Sequence, residues 1–508
     1  MLFNSFEFIF LFLPLALAGF FAASRFAGEK GAQLWLIAAS VFFYGWWNPV
    51  YLPLLGAVMV FTYLIGRRLS ARPSKPLLAF GIAVLLGVLG WFKYANFFVA
   101  NVDALTGFDW SVGAVVLPLA ISFFTFQKIA YLVDSYKGLT RDTRPIEFTL
   151  FVVFFPQLIA GPIVHWKEVL PQFKQGSVYS AHAENFAVGI AIFALGLFKK
   201  AVLADGIAAY ATPVFTAAEA GVAPDLLTAW SGALAYTFQL YFDFSGYSDM
   251  AIGAARMFGI LLPLNFNSPY KAQSISDFWR RWHMTLSRFL RDYLYIPLGG
   301  NRGGSLKRYR NLMATMLLGG LWHGAGWTFV LWGGLHGLYL AINHAWQRIV
   351  PAAVAARAGY RKAAWALTFL VVVIAWVPFR APTMAAAGRM LAGMAGLNGV
   401  SLPNAIGARI GALRPLLESA GIDFALGGGA AFIFGWLWIT ALFLIAVYAP
   451  NTQQIVGRYR AALDFDPRGA ARRLAWSPSP RWAVATGIVA AGGTLALTQV
   501  SEFLYFQF

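Results

Sequence analysis

The residues best suited to catalysis lie in the segment Leu321–Trp327, which places His323 near the middle of the apolar stretch Leu312–Ala345. Small and aromatic residues flank this histidine: Gly319, Gly320, Gly324, Gly326, Trp322, Trp327 and Trp332. Glycines let other groups approach the backbone closely, so we expect a narrow, dry cavity with flat tryptophan walls. A neutral imidazole there could accept a proton from a hydroxyl or a thiol-bearing intermediate. The alternative is a structural histidine that hydrogen-bonds a neighbouring helix.

A second histidine, His283, closes the segment Asp277–His283. Apolar or aromatic residues recur at offsets of three and four and predict one helical face, opposite a face of arginines: Phe278, Trp282, Leu286, Phe289, Leu290 and Tyr293. This pattern is typical of an interfacial helix at the cytoplasmic surface. The arginines have two interpretations, contact with lipid headgroups or a grip on the phosphates of a nucleotide-like donor. The candidates for donor binding are Arg280, Arg281 and, in the following Gly-Gly-Asn-Arg turn, Asn301 and Arg302.

A third polar cluster, Tyr241–Asp249, lies inside an apolar stretch and carries two Asp, two Ser and two Tyr side chains. Such groups are costly in an apolar environment unless they hydrogen-bond one another. A buried polar network satisfies that requirement, because Asp, Ser and Tyr combine donors with acceptors. The functional alternative is the wall of a tunnel. The residues expected in that wall are Trp279, Trp322, Tyr241, Asp243 and Ser245.

The remaining histidines give weaker signals. His336 and His344 lie about two turns apart on one helical face, which suits a proton path or ordinary packing. His165 follows a Gly-Pro pair and His182 lies in a polar loop. We expect no metal site and no cofactor, because no paired spacing of His and carboxylate recurs and cysteine is absent.

The composition excludes a soluble protein. Of 508 residues, 59% are hydrophobic and 12% are charged, whereas soluble domains carry about 25% charged residues. The same figures exclude an intrinsically disordered chain. Lys and Arg number 39 against 21 Asp and Glu, a net charge of +18. In a membrane protein this excess indicates basic cytoplasmic loops and contact with anionic lipid rather than nucleic acid.

The distribution of charge predicts a multi-pass topology. Basic clusters lie at 67–75, 137–144, 271–310 and 451–481, whereas 99–112 and 206–226 contain no Lys or Arg. The positive-inside rule places the basic loops in the cytoplasm and the others outside, so Met1 and Phe508 are both expected outside. The candidate spans are Phe3–Phe21, Leu34–Trp47, Tyr51–Ile65, Leu77–Phe98, Val115–Val133, Phe186–Leu203, Leu226–Gly246, Leu312–Ala345, Ala364–Val377, Ala425–Tyr448 and Trp482–Leu497.

Two segments depart from simple spans. Phe148–Ile163 carries two prolines and has basic residues on both flanks, so we predict a re-entrant or buried segment, which requires shelter by protein. Arg380–Asp423 is the longest external interval and is expected to form short helices on the outer surface. No tandem repeat or soluble domain is evident, and residues 1–508 are predicted to form a single membrane domain.

The motifs together resemble the membrane-bound O-acyltransferase (MBOAT) family, close to its bacterial alginate O-acetyltransferase branch. The resemblance covers nearly the whole chain and is carried by an ordered set of segments: Met1–Ser5, Phe43–Pro49, Pro118–Gln127, Phe155–Ile163, Phe242–Gly253, Asp277–Arg302, Trp322–Ala325 and Tyr505–Phe508. It implies an all-α, polytopic membrane protein with roughly 10–12 transmembrane helices, plus re-entrant and interfacial helices around a central tunnel.

The resemblance also implies acyl transfer across a bacterial inner membrane. The histidine that matches His323 is catalytic at the bottom of a funnel, and the one that matches His283 assists from the cytoplasmic side. The implied donor is cytoplasmic acetyl-CoA, a substrate rather than a cofactor. The implied acceptor is a periplasmic partner of the SGNH-hydrolase-like type, which acetylates an exported polysaccharide, alginate for this branch.

Three alternatives remain open at this point. The polymer could be cellulose or peptidoglycan, or the enzyme could transfer D-alanine to teichoic acid from a carrier protein that docks on the cytoplasmic surface. The third alternative is a non-enzymatic transporter of a lipid-linked sugar. A transporter shares the spans and the basic loops, but it needs no general base in a Gly- and Trp-lined pocket.

Overall fold

The architecture is almost entirely helical, and the predicted all-α membrane fold is confirmed. The computed structural model describes residues 1–113, 115–141, 143–471, 473–498 and 504. The closing motif Tyr505–Phe508 and the predicted outer position of Phe508 lie outside the described residues. In the described part, six helical runs are long and apolar enough to cross a bilayer: Glu7–Gly45, Pro49–Ala71, Lys75–Thr106, Ala183–Glu219, Ala358–Arg380 and Gly429–Tyr448.

The first two predicted spans form a hairpin. A π-helical turn, Glu7–Phe12, leads into α1, Leu13–Gly45, which is interrupted at Gly28 by a left-handed backbone conformation (φ 67°). Glycine adopts that conformation without the strain that a side chain would cause. The Trp35 indole N–H donates to the Ala16 carbonyl at 3.0 Å. The two arms are therefore antiparallel neighbours, as the two separate apolar runs predict.

Three helices follow: α2, Leu52–Ala71; α3, Lys75–Thr106; and α4, Ile121–Tyr136. α4 packs against both α2 and α3. The 32 residues of α3 make it about 48 Å long, which exceeds the roughly 30 Å of a hydrocarbon core. Side chains along α3 can therefore contact other helices both within the hydrocarbon core and outside it.

The proline-containing run Phe148–Ile163 is buried inside the protein, as the sequence predicts. α5 spans Pro145–Val153, the helix breaks at Phe154, and the short α6, Phe155–Leu158, follows directly. Phe154 is fully buried, and the Gln127 side-chain amide donates to the Phe151 carbonyl at 2.9 Å. The protein thus buries the backbone at the break between α5 and α6 and supplies a hydrogen-bond donor for it. A further short helix, α7, spans Trp166–Val169.

The centre of the molecule is a long buried helix. Before it, α8 (Ala183–Phe198) and α9 (Asp205–Glu219) are joined by the π-helical turn Lys199–Ala204. α10 spans Leu226–Met257, and every residue in 235–257 is buried. The polar side chains of a helix that is buried on all sides must hydrogen-bond one another or their neighbours. This requirement applies to the polar cluster Tyr241–Asp249.

The basic cluster at 271–310, called the basic segment below, and the apolar run after it together form four α-helices: α11, Ile275–Trp279; α12, Met284–Leu290; α13, Ser305–His323; and α14, Trp327–Ile349. A Cβ at Gly320 would overlap the carbonyl oxygen of Phe329, and one at Gly333 would overlap that of Met316. α13 and α14 therefore form a tightly packed antiparallel hairpin. The stretch Leu312–Ala345 is not a single span, and its turn lies at 324–326.

The remaining elements complete the outer surface and the last spans. Helices and strands follow in the order α15, Ala352–Ala355; α16, Ala358–Arg380; α17, Met384–Met394; β1, Val400–Pro403; α18, Asn404–Gly407; α19, Leu413–Ser419; β2, Ile422–Ala425; α20, Gly429–Tyr448; α21, Thr452–Ile455; and α22, Pro480–Ala496. The short helices predicted in Arg380–Asp423 are present. The sequence did not predict β1 and β2, which pair in parallel with Val400 opposite Ile422.

Contacts join the basic segments to one another: Ser70 Oγ lies 3.0 Å from Thr140 Oγ1, the Lys137 ammonium lies 5.9 Å from the Tyr293 ring centroid, and Arg288 pairs with Asp464 at 3.6 Å. Lys271 donates to the Ala449 carbonyl at 2.6 Å, which joins two basic segments. Among the segments predicted to lie outside, the Leu226 N–H donates to the Gly399 carbonyl at 3.0 Å, which joins 206–226 to Arg380–Asp423. This clustering fits the predicted alternation of loops, and the identity of the cytoplasmic face stays a prediction.

Candidate active site

His323 ends α13 inside a cage of aromatic rings. The backbone of Gly324 is extended (φ −157°, ψ 150°), which stops the helix at this histidine. The imidazole centroid lies 4.9 Å from Trp322, 5.1 Å from Trp332 and 5.1 Å from Phe379, each edge-on. Phe379, on α16, has no signal in the sequence around the histidine. Trp327 does not join the cage, because its side chain is 58% exposed.

His283 is fully buried, and the prediction of one interfacial helix over 278–293 is wrong. α11 ends before His283 and α12 begins after it, and His283 itself has a left-handed backbone (φ 42°, ψ 54°). The Met284 N–H donates to the Asn265 carbonyl, and the Asn267 N–H donates to the Arg281 carbonyl, both at 2.9 Å. The chain leaves the helix because it pairs with backbone that precedes it. The apolar face packs inside the protein, since Phe278, Trp282, Leu286, Phe289 and Leu290 are all buried.

Asn265, which sequence reasoning missed, orients the His283 ring. Its side-chain oxygen lies 2.9 Å from His283 Nδ1 and accepts from the Thr285 hydroxyl, also at 2.9 Å. Its amide nitrogen donates to Ser248 Oγ at 3.1 Å, which fixes the direction of the amide. The Nδ1 atom therefore carries the hydrogen, and Nε2 keeps a lone pair. In the described part of the chain, no hydrogen-bond partner reaches His283 Nε2. The sequence signal for Asn265 was weak: it is a polar residue between the clusters Tyr241–Asp249 and Asp277–His283.

The fold brings the two predicted histidines together. Their ring centroids are 6.5 Å apart, although 40 positions separate them in the chain. His323 lines two small cavities, one of about 50 Å³ and one of about 20 Å³. The larger includes Lys93 and residues 117–123, and the smaller includes His283 and Asp243. His323 thus adjoins both cavities, whereas His283 adjoins only the smaller one.

The cluster Tyr241–Asp249 forms a buried charge network. Asp243 pairs with Lys200 at 2.6 Å, and Lys200 also pairs with Asp205 at 2.7 Å. Asp249 pairs with Lys199 at 2.6 Å and accepts hydrogen bonds from two side chains near the start of α21, Thr452 and Gln453. The network interpretation therefore holds for both carboxylates. Asp243 combines it with a place in a cavity wall.

The residues predicted to line a tunnel occupy different positions. Trp322 lines the larger cavity and Asp243 the smaller one. Trp279 lies behind Trp332, 5.9 Å away between centroids, and its indole donates to His336 Nδ1 at 3.2 Å. Tyr241 and Ser245 are buried and line neither cavity. A tunnel role for these three residues stays a prediction.

The predicted donor-binding residues lie on the surface of the basic segment. Arg280 and Arg302 are exposed, and Arg281 pairs with Asp277 at 2.8 Å. Asn301 is exposed and accepts from the Tyr295 hydroxyl at 2.6 Å. Their role toward a donor stays a prediction. Among the described residues, no group of three His, Asp or Glu side chains converges as metal ligands would.

The comparison with known proteins places this site in a family. A family model for membrane-bound O-acyltransferases matches residues 139–380, a range that contains both histidines. The chain is 45% identical to the peptidoglycan O-acetyltransferase of Helicobacter pylori, over 79% of this chain and 81% of that protein. It is 46% identical to the probable alginate O-acetylases of Azotobacter vinelandii, over 78% of each chain, and of Pseudomonas aeruginosa, over 78% of this chain and 75% of that protein. The chain belongs to the membrane-bound O-acyltransferase family.

Membership in the MBOAT family identifies an O-acyltransferase and confirms the resemblance drawn from the motifs. It decides against the alternative of a non-enzymatic transporter, which depended on shared spans and basic loops. The matched range runs from the segment before α5 to the end of α16. It therefore includes the α13–α14 hairpin, the broken basic segment and α10, which are the elements that position the two histidines.

Proposed function

We propose that this MBOAT enzyme takes acetyl from cytoplasmic acetyl-CoA and passes it across the inner membrane for O-acetylation of an exported polysaccharide. The support comes from two relatives of nearly equal identity, a peptidoglycan O-acetyltransferase and a probable alginate O-acetylase. Both names describe acetylation of a polysaccharide. The proposal extends that chemistry to this chain, whose length is covered to a similar extent by both.

The observation that carries the proposal is the place of His323 between two cavities. A thioester is already activated, so the site mainly needs a base and the exclusion of water. In the proposed step, the imidazole takes the proton of an acceptor hydroxyl as the oxygen attacks the acetyl carbonyl. The carbon–sulfur bond then breaks, and the CoA sulfur leaves with a proton. The aromatic cage of Trp322, Trp332 and Phe379 keeps competing water away from the acetyl group.

His283 supports this step from the smaller cavity. Asn265 holds its ring in the tautomer with a free lone pair on Nε2. This nitrogen can accept a hydrogen bond from the donor thioester arm or from a protonated neighbour. Because Trp282 and His283 both belong to the basic segment and line the smaller cavity, we assign that cavity to the donor side.

For acetyl-CoA itself, we propose that residues at the surface of the basic segment bind the CoA phosphates. The hydrogen bonds to the phosphates come from Arg280, Arg281, Asn301 and Arg302, and guanidinium groups suit phosphate geometry. The net charge of +18 would also attract an anionic substrate to this face.

The acceptor is proposed to approach the larger cavity from the other face. Residues 117–123 line that cavity and adjoin the loop without Lys or Arg, which the charge pattern places outside. We propose that a periplasmic protein of the SGNH-hydrolase-like type receives the acetyl group there and delivers it to the polymer. Alginate is the proposed polymer, and peptidoglycan is the second candidate because the Helicobacter relative is 45% identical.

The proposal is tested in inverted membrane vesicles from cells that express the chain, with labelled acetyl-CoA added to the cytoplasmic face. We expect CoA release and acetyl transfer to alginate in the lumen, and competition by unlabelled acetyl-CoA. His182→Ala is the matched control for His323→Ala, because His182 is an exposed histidine that lines neither cavity. Transfer from an acyl-carrier-protein thioester but not from acetyl-CoA would refute the donor. Acetylation of peptidoglycan fragments alone would replace alginate by the second candidate.

A further inference from the structure

Lys93 is a charged residue in the middle of a membrane helix and has no part in the step described above. It is the only Lys, Arg, Asp or Glu between 76 and 102, and it lies on α3, which is long and apolar enough to cross a bilayer. A charge at such a position is costly and is retained when it has a specific partner. Its partners are on α13, more than 200 positions away in the chain.

The contacts of Lys93 and its neighbour cover the last turn of the helix that ends in His323. The ammonium group donates to the Trp322 carbonyl and, at 2.9 Å, to the carbonyl of His323 itself. The Tyr94 hydroxyl donates to the Leu321 carbonyl at 2.8 Å. Two adjacent side chains of α3 thus bind three successive backbone carbonyls of α13.

These carbonyls need partners because α13 stops inside the protein. The last four carbonyls of an α-helix have no partner within the helix, and no water is available in a bilayer core to replace one. The Gly320 carbonyl accepts from the Gly324 N–H at 3.4 Å, and α3 supplies donors for the other three. The positive charge of Lys93 also complements the negative end of the helix dipole.

We propose that Lys93 is a positioning residue that fixes the backbone of His323, and with it the direction of the imidazole, for acyl transfer. The inference rests on the proposed role of His323. Two of the three ammonium hydrogens of Lys93 bind carbonyls, and the third points to Ser122 Oγ at 3.5 Å. The ammonium is therefore committed to the backbone, although its side chain lines the same cavity as His323.

The test uses a reporter that does not depend on acetyl transfer. The chain has no native cysteine, so Ala325→Cys places a single thiol in the turn beside His323. We expect Lys93→Met in this background to raise the rate of maleimide alkylation about tenfold or more, because bonds to a charged donor are lost. Lys93→Arg keeps charge and donors and should restore a slow rate. Lys128→Met is the matched control, since Lys128 is a buried lysine of α4 with its ammonium 4.0 Å from the Phe124 ring centroid.

The acetyl-transfer assay provides the second measurement. Lys93→Met should lower kcat by about 10²-fold through misplacement of the base, with the KM for acetyl-CoA unchanged, whereas Lys128→Met should leave both at the parental values. If Lys93→Met does not fold, Tyr94→Phe removes one carbonyl contact and should raise alkylation about fivefold. An unchanged alkylation rate in the Lys93 and Tyr94 variants, or an equal rise in Lys128→Met, would overturn the proposal. If Lys93→Met raises the alkylation rate while the chain with native Ala325 shows no acetyl transfer, the positioning role is sustained and the proposed function is refuted.

Discussion

At the scale of single residues, the two histidines differ in how they are held. His323 is placed by the end of its helix and by the aromatic rings around it. The ring of His283 is oriented by the side chain of Asn265. Only His323 faces both cavities. A group that must meet donor and acceptor in turn has to adjoin both cavities, so the proposed mechanism assigns the reacting role to His323.

This difference predicts unequal effects of substitution. His323→Ala should reduce acetyl transfer by at least ~10², the contribution expected of a general base, and His283→Ala should reduce it less. Both variants should insert normally, because removal of a costly polar group from the membrane is not expected to unfold the helix. The measurement is CoA release at equal amounts of folded protein. Near-wild-type turnover of His323→Ala would refute its catalytic role.

A second prediction at this scale concerns the donor. Arg302 is exposed in a turn of the basic segment. If it binds a CoA phosphate, the contact is present in both the ground state and the transition state. Arg302→Ala should therefore raise the KM for acetyl-CoA while kcat changes little. Arg348, an exposed arginine at the end of α14, provides the control substitution Arg348→Ala. An unchanged KM in purified Arg302→Ala would leave lipid contact as the function of this arginine.

At the scale of elements, local patterns predicted some structure and missed the rest for a physical reason. The apolar runs predicted the α1 hairpin arms and the buried segment Phe148–Ile163, because hydrophobic periodicity and prolines are local signals. The helix break at His283 depends on a backbone hydrogen bond to Asn265. The hydrogen bond to the last carbonyl of α13 depends on Lys93. Such long-range contacts leave no periodic trace around the residues that they control.

The α13–α14 hairpin offers a prediction on stability. At Gly333 a Cβ would overlap the Met316 carbonyl, whereas at Gly334 the nearest atom would be Leu317 Cδ2 at 3.6 Å, an ordinary contact. Gly333→Ala should destabilise the protein by about 1–3 kcal/mol, the typical cost of overpacking. Gly334→Ala should be neutral or stabilising, because alanine favours the helix. Thermal unfolding in detergent measures both, and an equal melting temperature would contradict the packing argument.

At the scale of the whole molecule, the hairpin reconciles the charge pattern with the fold. If the α13–α14 hairpin as a whole begins and ends at the face of the basic segments, it does not change the side on which the following loop lies. α16, α20 and α22 then alternate as the loops with and without Lys or Arg require. The buried helix α10 packs against α8 and α9 and also against α16 and α20, so it joins the middle of the chain to two of these later spans.

This arrangement predicts that Ser305 lies in the cytoplasm and Leu426 outside. Both are exposed, Leu426 at 91%, so accessibility to a reagent depends on the side of the membrane rather than on burial. With no native cysteine, Ser305→Cys and Leu426→Cys each introduce one thiol. An impermeant maleimide added to intact spheroplasts should label the Leu426→Cys variant at once, and the Ser305→Cys variant only after permeabilisation. Labelling of Ser305→Cys from outside would invert the topology and, with it, the assignment of the two cavities to donor and acceptor.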